Sequence, residues 1–115
     1  MNRLTAFLVS TVMLCCASAW GMSAQELMNE YEANSVACAK KYDNQRMSVT
    51  GTVESVSKVP LGGICVTLQP GLNCFLGWFQ KEKAESIRAG EQITVTGRCH
   101  IGSIMGPSME KCSID

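Results

Sequence analysis

Histidine is almost missing: His100 is the only one in 115 residues. It sits beside Cys99 in a glycine-containing connection, where a lone histidine reads as a solvated loop residue rather than a base or metal ligand. No Gly-x-Ser-x-Gly elbow accompanies it. Gly102-Ser103-Ile104-Met105-Gly106 lacks the Gly-Lys-Ser/Thr ending of a phosphate loop. There is no Cys-x-x-Cys pair, which leaves a zinc ribbon or a thioredoxin-type redox motif without support. The carboxylates are scattered, several on one early helical stretch. No enzyme, no metal and no cofactor is expected. Charge bias is absent too, with 10 basic against 10 acidic side chains. Nucleic-acid binders usually carry a basic patch that displaces counterions from phosphates. The nearest approach, Lys40-Lys41 with Arg46, reads as a solvated helix end, so nucleic acid is disfavoured as a partner.

Long apolar runs are absent apart from the first residues. Asn2-Arg3 precedes an apolar segment from Leu4 to Cys16, and Ala17-Ser18-Ala19 supplies a small-x-small cleavage pattern. That is the form of a secretory signal peptide over residues 1–19. The run is shorter than the roughly 20 residues needed to span a bilayer. Cys15 and Cys16 raise lipidation, but the bulky Val12, Met13 and Leu14 occupy positions that a lipoprotein signal fills with small residues. A periplasmic or secreted product is expected. Loss of Arg3 with the leader leaves nine basic against ten acidic residues.

Of seven cysteines, five remain after cleavage: Cys38, Cys65, Cys74, Cys99 and Cys112. In an oxidising compartment they read as a disulfide framework with one thiol over. Cys99 and Cys112 fall on consecutive expected strands and form the favoured pair. Cys65 and Cys74 flank a turn and could face each other, although one residue of register decides it. Cys38 is then the free thiol, able to cross-link a homodimer.

The strand pattern is what the chain does have. Met47, Val49 and Val53 alternate with Ser48, Thr50, Thr52 and Glu54, the period of two of a half-buried strand. Gly51 takes an apolar-side slot, where glycine usually marks a bend or bulge. The phrase returns as Ile93-Thr94-Val95-Thr96-Gly97-Arg98-Cys99, and two Val-Thr-Gly strands suggest a curled, largely antiparallel sheet. Ahead of them, Ser23 and Glu26 have capping-box spacing. Leu27, Tyr31, Cys38 and Tyr42 then form the stripe of one amphipathic helix over about 24–42, ended by Asp43-Asn44. Strands follow at about 46–57 and 64–68, a Pro70-Gly71 turn, and a return strand at 73–79. A helix over 81–89 stops at Gly90, before strands at 92–99 and 108–114. Within 73–79, Phe75, Trp78 and Phe79 form the one aromatic cluster. Alternation puts Phe75 and Phe79 on one face and Trp78 on the other, so one set is core and the other a candidate binding face. Met105 and Met109, with Ile101 and Ile104, make an apolar final loop, a barrel lid or contact surface.

This order, three strands, a helix and two strands after an N-terminal helix, is the arrangement of the OB-fold, a five-stranded Greek-key barrel. Asn34, Ala37, Lys40, the Val-Thr-Gly-Thr-Val strand, the run Gly90 to Cys99 and the closing Cys112-Ser113-Ile114 together resemble the tRNA-anticodon-domain-like family of OB-fold proteins. These are small exported or lipoprotein domains of bacteria and phages. The resemblance covers nearly all of residues 30–115, and the expected division is an N-terminal helix over 20–43 and a mainly β barrel over 44–115. It implies nucleic-acid binding only by analogy of fold. The expected function is therefore a non-catalytic exported binding module contacting a protein partner in the cell envelope, of inhibitor, immunity or accessory type. The alternative is an oligonucleotide- or oligosaccharide-binding domain.

Overall fold

The two Val-Thr-Gly phrases zip against each other. In the computed structural model, which describes residues 21–60, 62–102 and 106–115, Val49 lies opposite Val95 and Thr50 opposite Thr94. The partners are the long antiparallel strands β2 (Arg46–Val59) and β5 (Gln92–Ile101). Outward hydroxyls reinforce the pairing, Ser48 with Thr96 and Thr50 with Thr94, each at 2.8 Å. The inward residues Val49, Val53 and Val95 are fully buried.

The remaining strands close the ring. A two-residue strand β1 (Met22–Ser23) lies parallel to β2. Past Val53, β2 leaves β5 and pairs antiparallel with β3 (Gly63–Leu68), which pairs with β4 (Leu72–Leu76). β4 runs parallel to β6 (Pro107–Ile114), and β6 returns antiparallel to β5. Strands β2 to β6 thus form a closed five-stranded barrel. Closure removes the open edges that a flat sheet would present.

Ten side chains supplied by these strands are fully buried inside, among them Leu68, Leu72, Cys74, Cys99, Met109 and Cys112. Helix α1 (Ala24–Ala33) plugs one end with Ala24 and Leu27, both fully buried. Its start is fixed as the spacing implied: Ser23 Oγ accepts the Glu26 amide at 3.0 Å, and the Glu26 carboxylate accepts the Ser23 amide at 3.1 Å.

Three expectations change. The single helix over 24–42 is two. Asn34 is extended (φ −162°), and its side chain accepts the Ala37 amide at 3.0 Å, restarting the chain as α2 (Ser35–Tyr42). Asparagine competes for backbone groups in this way and so favours caps over helix interiors. The Glu30 carboxylate then ties the pieces together, accepting the Tyr42 hydroxyl at 2.7 Å. Second, the bulge falls between Val53 and Ser55 on the β3 side, while β2–β5 register runs unbroken through Gly51. A Cβ at Gly51 would stand 3.1 Å from both Ala24 Cβ and Leu68 Cβ. Glycine there lets α1 sit down on the barrel. Third, the return strand stops at Leu76: Trp78–Gln80 is a 3₁₀ turn leading into a five-residue helix α3 (Lys81–Glu85).

Candidate functional site

The outer surface of β2, β3 and β4 carries a mixed polar and aromatic strip, set by the period-two alternation. Ser57, Cys65 and Phe75 lie side by side across three strands. Beside them a polar row continues around the barrel through Ser55, Thr67, Asn73, Ser108 and His100. Thr67 donates its hydroxyl to the Asn73 amide oxygen at 2.8 Å. The row therefore presents short, hydrogen-bonding side chains on a rigid backbone.

Aromatics flank this strip. The end of β4 at Leu76 takes Trp78 and Phe79 out of strand geometry, so the expected division of the three rings between two faces does not arise. All three are exposed instead, Phe75 by 37%, Trp78 by 47% and Phe79 by 80%. A soluble domain normally buries such rings, and clustered exposure marks a contact surface. Two grooves meet at Ile64. One, of about 350 Å³, runs between the β2–β3 hairpin and α3, with Val56 and Ile64 as floor, Trp78 and Ala84 as wall, and Lys58, Lys81 and Glu85 at its rim. The other, of about 230 Å³, is bounded by Val59, Gly63, Phe75 and Leu76. Lys81 Nζ stands 5.3 Å over the Trp78 ring and 3.6 Å from Glu85. Phe79 folds back over Gly77, where any Cβ would overlap the ring. Met105 lies outside the described residues, as do Cys15, Cys16 and the whole of 1–19.

Sequence reasoning singled out the aromatics but not Lys58, Lys81 or the polar row. The Trp78-x-x-Lys81 spacing, one turn apart, was the available signal. The Thr67–Asn73 contact was hidden, because cross-strand register is not written in composition. His100 is exposed on β5, its Nδ1 3.9 Å from Asp43 Oδ1. Asp43 Oδ1 already accepts the Ile101 amide at 2.9 Å, which anchors the helix-to-strand corner. Among the described residues no group of three or more His, Cys, Asp or Glu is placed to hold a metal ion.

The cysteines depart most from expectation, since all five described thiols are free. Cys65 and Cys74 cannot bridge because Cys65 points outward beside Phe75, while Cys74 points into the barrel. Cys99 lies opposite Met109, three residues along β6 from Cys112, so that pair is out of register. Cys38 is 3% exposed and packs into the core, and is not a surface thiol for a cross-linked dimer. Burial is the first cause raising the pKa of Cys38, Cys65 and Cys99, the last pushed up to about 12.

A closed five-stranded barrel with a helix between its third and fourth strands, a parallel pairing of third with fifth, and a polar-aromatic outer strip defines an OB-fold domain. The chain belongs to the tRNA_anti-like family, which it matches over residues 9–114. Among solved structures it is similar to a candidate nucleic-acid-binding lipoprotein from Klebsiella pneumoniae, with 15% identity, TM-score 0.69, and 88% of this chain and 95% of that chain covered. It is also similar to part of asparaginyl-tRNA synthetase from Pyrococcus horikoshii, with 15% identity and TM-score 0.53, covering 64% of this chain but 20% of the synthetase. These likenesses establish the fold. No curated protein matches the sequence.

Proposed function

We propose that the protein is a non-catalytic binding module that takes single-stranded nucleic acid across the aromatic side of its barrel. One observation carries the reading: exposed Trp78 and Phe75 line two grooves that share Ile64, with Lys58 and Lys81 on the Trp78 groove, and Phe79 is exposed next to Trp78 in the chain. Exposed rings offer stacking platforms to unpaired bases, and lysines at a groove rim meet phosphates. The polar row from Ser55 to His100 would contact base edges or sugar hydroxyls. The family and the Klebsiella lipoprotein support this direction, and that lipoprotein also supports an envelope location, as the signal-peptide reading of 1–19 does. Among the described residues no helix is long and apolar enough to cross a membrane.

The balanced charge sets the expected character of binding. With two lysines on phosphates, log K should fall against log salt with a slope of only about −1.4. Fluorescence anisotropy of a labelled 12-nucleotide single strand, DNA and RNA in turn, measures both affinity and slope. Trp78→Ala or Phe75→Ala should each weaken binding roughly 5- to 150-fold, the range for loss of one stacked base. Wild-type affinity retained in both variants, or no binding at low salt, would remove the proposal. A protein partner in the envelope is the second reading, favoured by the same charge balance. Photo-crosslinking from position 79 to a protein in the native envelope, with no nucleic-acid adduct, would favour it. A glycan ligand would show as a Trp78 fluorescence change with oligosaccharide alone.

A further inference from the structure

The row of outward side chains that carries Ser57, Cys65 and Phe75 does not stop at β4. Phe75 lies between Cys74, opposite Met109, and Leu76, opposite Cys112, so it faces two residues of β6, Glu110 and Lys111. Two residues against one is a β-bulge, which can re-aim a side chain. Here it brings Glu110 and Lys111 both to the surface, between buried Met109 and Cys112. Lys111 takes φ 51° to do so, a left-handed conformation that a residue with a Cβ seldom adopts. From β6 the row passes to Arg98 of β5, opposite Glu110, and then to Arg46 of β2, opposite Arg98. Both arginines are exposed, Arg98 standing between buried Gly97 and Cys99. At about 4.8 Å per strand, Arg98 lies two spacings and Arg46 three from Phe75 around the barrel. Like charges on directly opposed residues repel. Arg98 Nη1 donates to the Asn44 side-chain oxygen at 3.3 Å, a neutral partner that orients the guanidinium and leaves its charge in place. Among the described residues no carboxylate oxygen, that of Glu110 included, comes within 4.0 Å of the charged nitrogens of Arg46, Arg98 or Lys111. Three cations from three strands are thus gathered beside an exposed ring without an internal counterion.

We propose that Arg46, Arg98 and Lys111 form a phosphate track that carries a bound single strand from the aromatic grooves around the barrel onto β6, β5 and β2. This rests on the reading that bases stack on Phe75 and Trp78. The occupant is the phosphodiester backbone of that same strand as it leaves the groove past Phe75. Arginine suits the role, because its planar fork of donors matches two phosphate oxygens at once. Lys111 supplies a point charge between the ring and the arginines. The polar row runs alongside and ends at His100, two residues from Arg98 on the same outer face, so hydrogen-bonding side chains border the track. The alignment of the three cations with Phe75 in one row favours a chain that carries bases and phosphates together over an anionic membrane surface. Overall charge balance conceals the track, since its residues are far apart in sequence and meet only through strand register.

The test uses the full chain and two labelled single strands in fluorescence anisotropy, a 12-mer and a trinucleotide long enough only for the aromatic grooves. The variant is Arg46→Gln/Arg98→Gln/Lys111→Gln. Each phosphate contact of a single strand contributes about −0.7 to the slope of log K against log salt. A 12-mer that follows the track should show a slope of about −3.5 on wild-type protein, against about −1.4 for the two groove lysines alone in the variant. At 0.1 M salt the variant should bind it roughly 100-fold more weakly, three contacts at about 0.7 each per tenfold dilution from 1 M. The trinucleotide should bind both proteins alike, which also shows that the variant is folded. Should the triple variant fold poorly, Arg46→Gln alone should ease the 12-mer slope by about 0.7. Unchanged 12-mer affinity and slope would overturn the track and leave the aromatic grooves as the site. Equal loss of both strands in a variant with wild-type circular dichroism would also overturn it. No binding of either strand to wild-type protein would overturn the track and the groove reading together. Binding of wild type but not the variant to phosphatidylglycerol vesicles, with 12-mer affinity unchanged, would assign the cations to a membrane instead.

Discussion

Gly97→Ala is the smallest change that tests how the barrel interior is assembled. At an unstrained strand position, replacing glycine by alanine reduces the freedom of the unfolded chain and stabilises by about 0.4–1 kcal/mol. Gly97 is not such a position. The new Cβ would stand 2.6 Å from Cys112 Sγ, 2.7 Å from the Glu110 carbonyl oxygen and 3.1 Å from Cys112 Cα. The sulfur can rotate away, but two of the three atoms belong to the backbone of β6, which is held by β4 on one side and β5 on the other. Relief therefore requires β5 and β6 to move apart at their shared bulge. Overpacking of this kind costs about 1–3 kcal/mol, and the backbone contacts place this case at the upper end. With a urea m-value of about 1–1.5 kcal/mol/M for a domain this small, the unfolding midpoint should drop by roughly 1.5–2 M.

Gly63→Ala is the matched control. Its nearest neighbours would be the Leu76 carbonyl oxygen at 3.6 Å and Val59 Cβ at 3.9 Å, ordinary contacts, and it should be neutral or slightly stabilising. Adding Cys112→Ala to Gly97→Ala removes the sulfur clash and leaves the carbonyl one. The pair should show a favourable coupling of about 1 kcal/mol without full recovery. Urea denaturation followed by circular dichroism measures all five proteins, wild type and Cys112→Ala alone included. Equal midpoints for Gly97→Ala and Gly63→Ala would refute the close approach of β5 to β6, and with it the seating of Cys112.

Other outcomes follow from single contacts. Ser23→Ala removes the acceptor of the Glu26 amide at the head of α1 and should cost about 1 kcal/mol in urea denaturation, with Ser23→Asp close to neutral. Equal loss in both would show that the cap does not act through this bond. Raising the pH should also destabilise the barrel. Cys99 rises from the ordinary 9.0 to about 12 through burial, with Cys38 and Asp43 adding. Above pH 9 the unfolded chain gives up that proton while the folded chain keeps it. Stability is then complete below about pH 8.5 and falls as pH climbs toward 12, by at most about 1.4 kcal/mol per pH unit for this thiol. Reduced protein compared at pH 8 and pH 10.5 should show the fall, and Cys99→Ala should lessen it; an unchanged pH dependence in that variant would exclude Cys99 as its source.

Much of the barrel was legible because its signals are local. Val-Thr-Gly alternation, the Ser23–Glu26 box and the Pro70-Gly71 turn each act within a few residues, and each appears where the spacing put it. The helix expected over 81–89 instead ends at Glu85, capped by Ser86, and Gly90 (φ 96°) serves the turn before β5. What could not be read depends on neighbours distant in sequence. Asn34 has the same composition whether it continues a helix or caps the next one, and only the packing of Tyr42 onto Glu30 selects the break. The cysteine pairing failed for a sharper reason. Cys74, Cys99 and Cys112 all face inward, and inward-facing residues on three strands have several possible partners. Register chooses among them, and here two bulges shift it. The aromatic site illustrates the converse. Phe75 to Phe79 reads as a strand by propensity, and its exposure follows only because the chain must turn at Gly77 to bring Ala84 over the barrel end, where it is 4% exposed. Covering the core with α3 thus turns Trp78 and Phe79 outward, and the same turn that completes the interior creates the surface on which binding is proposed.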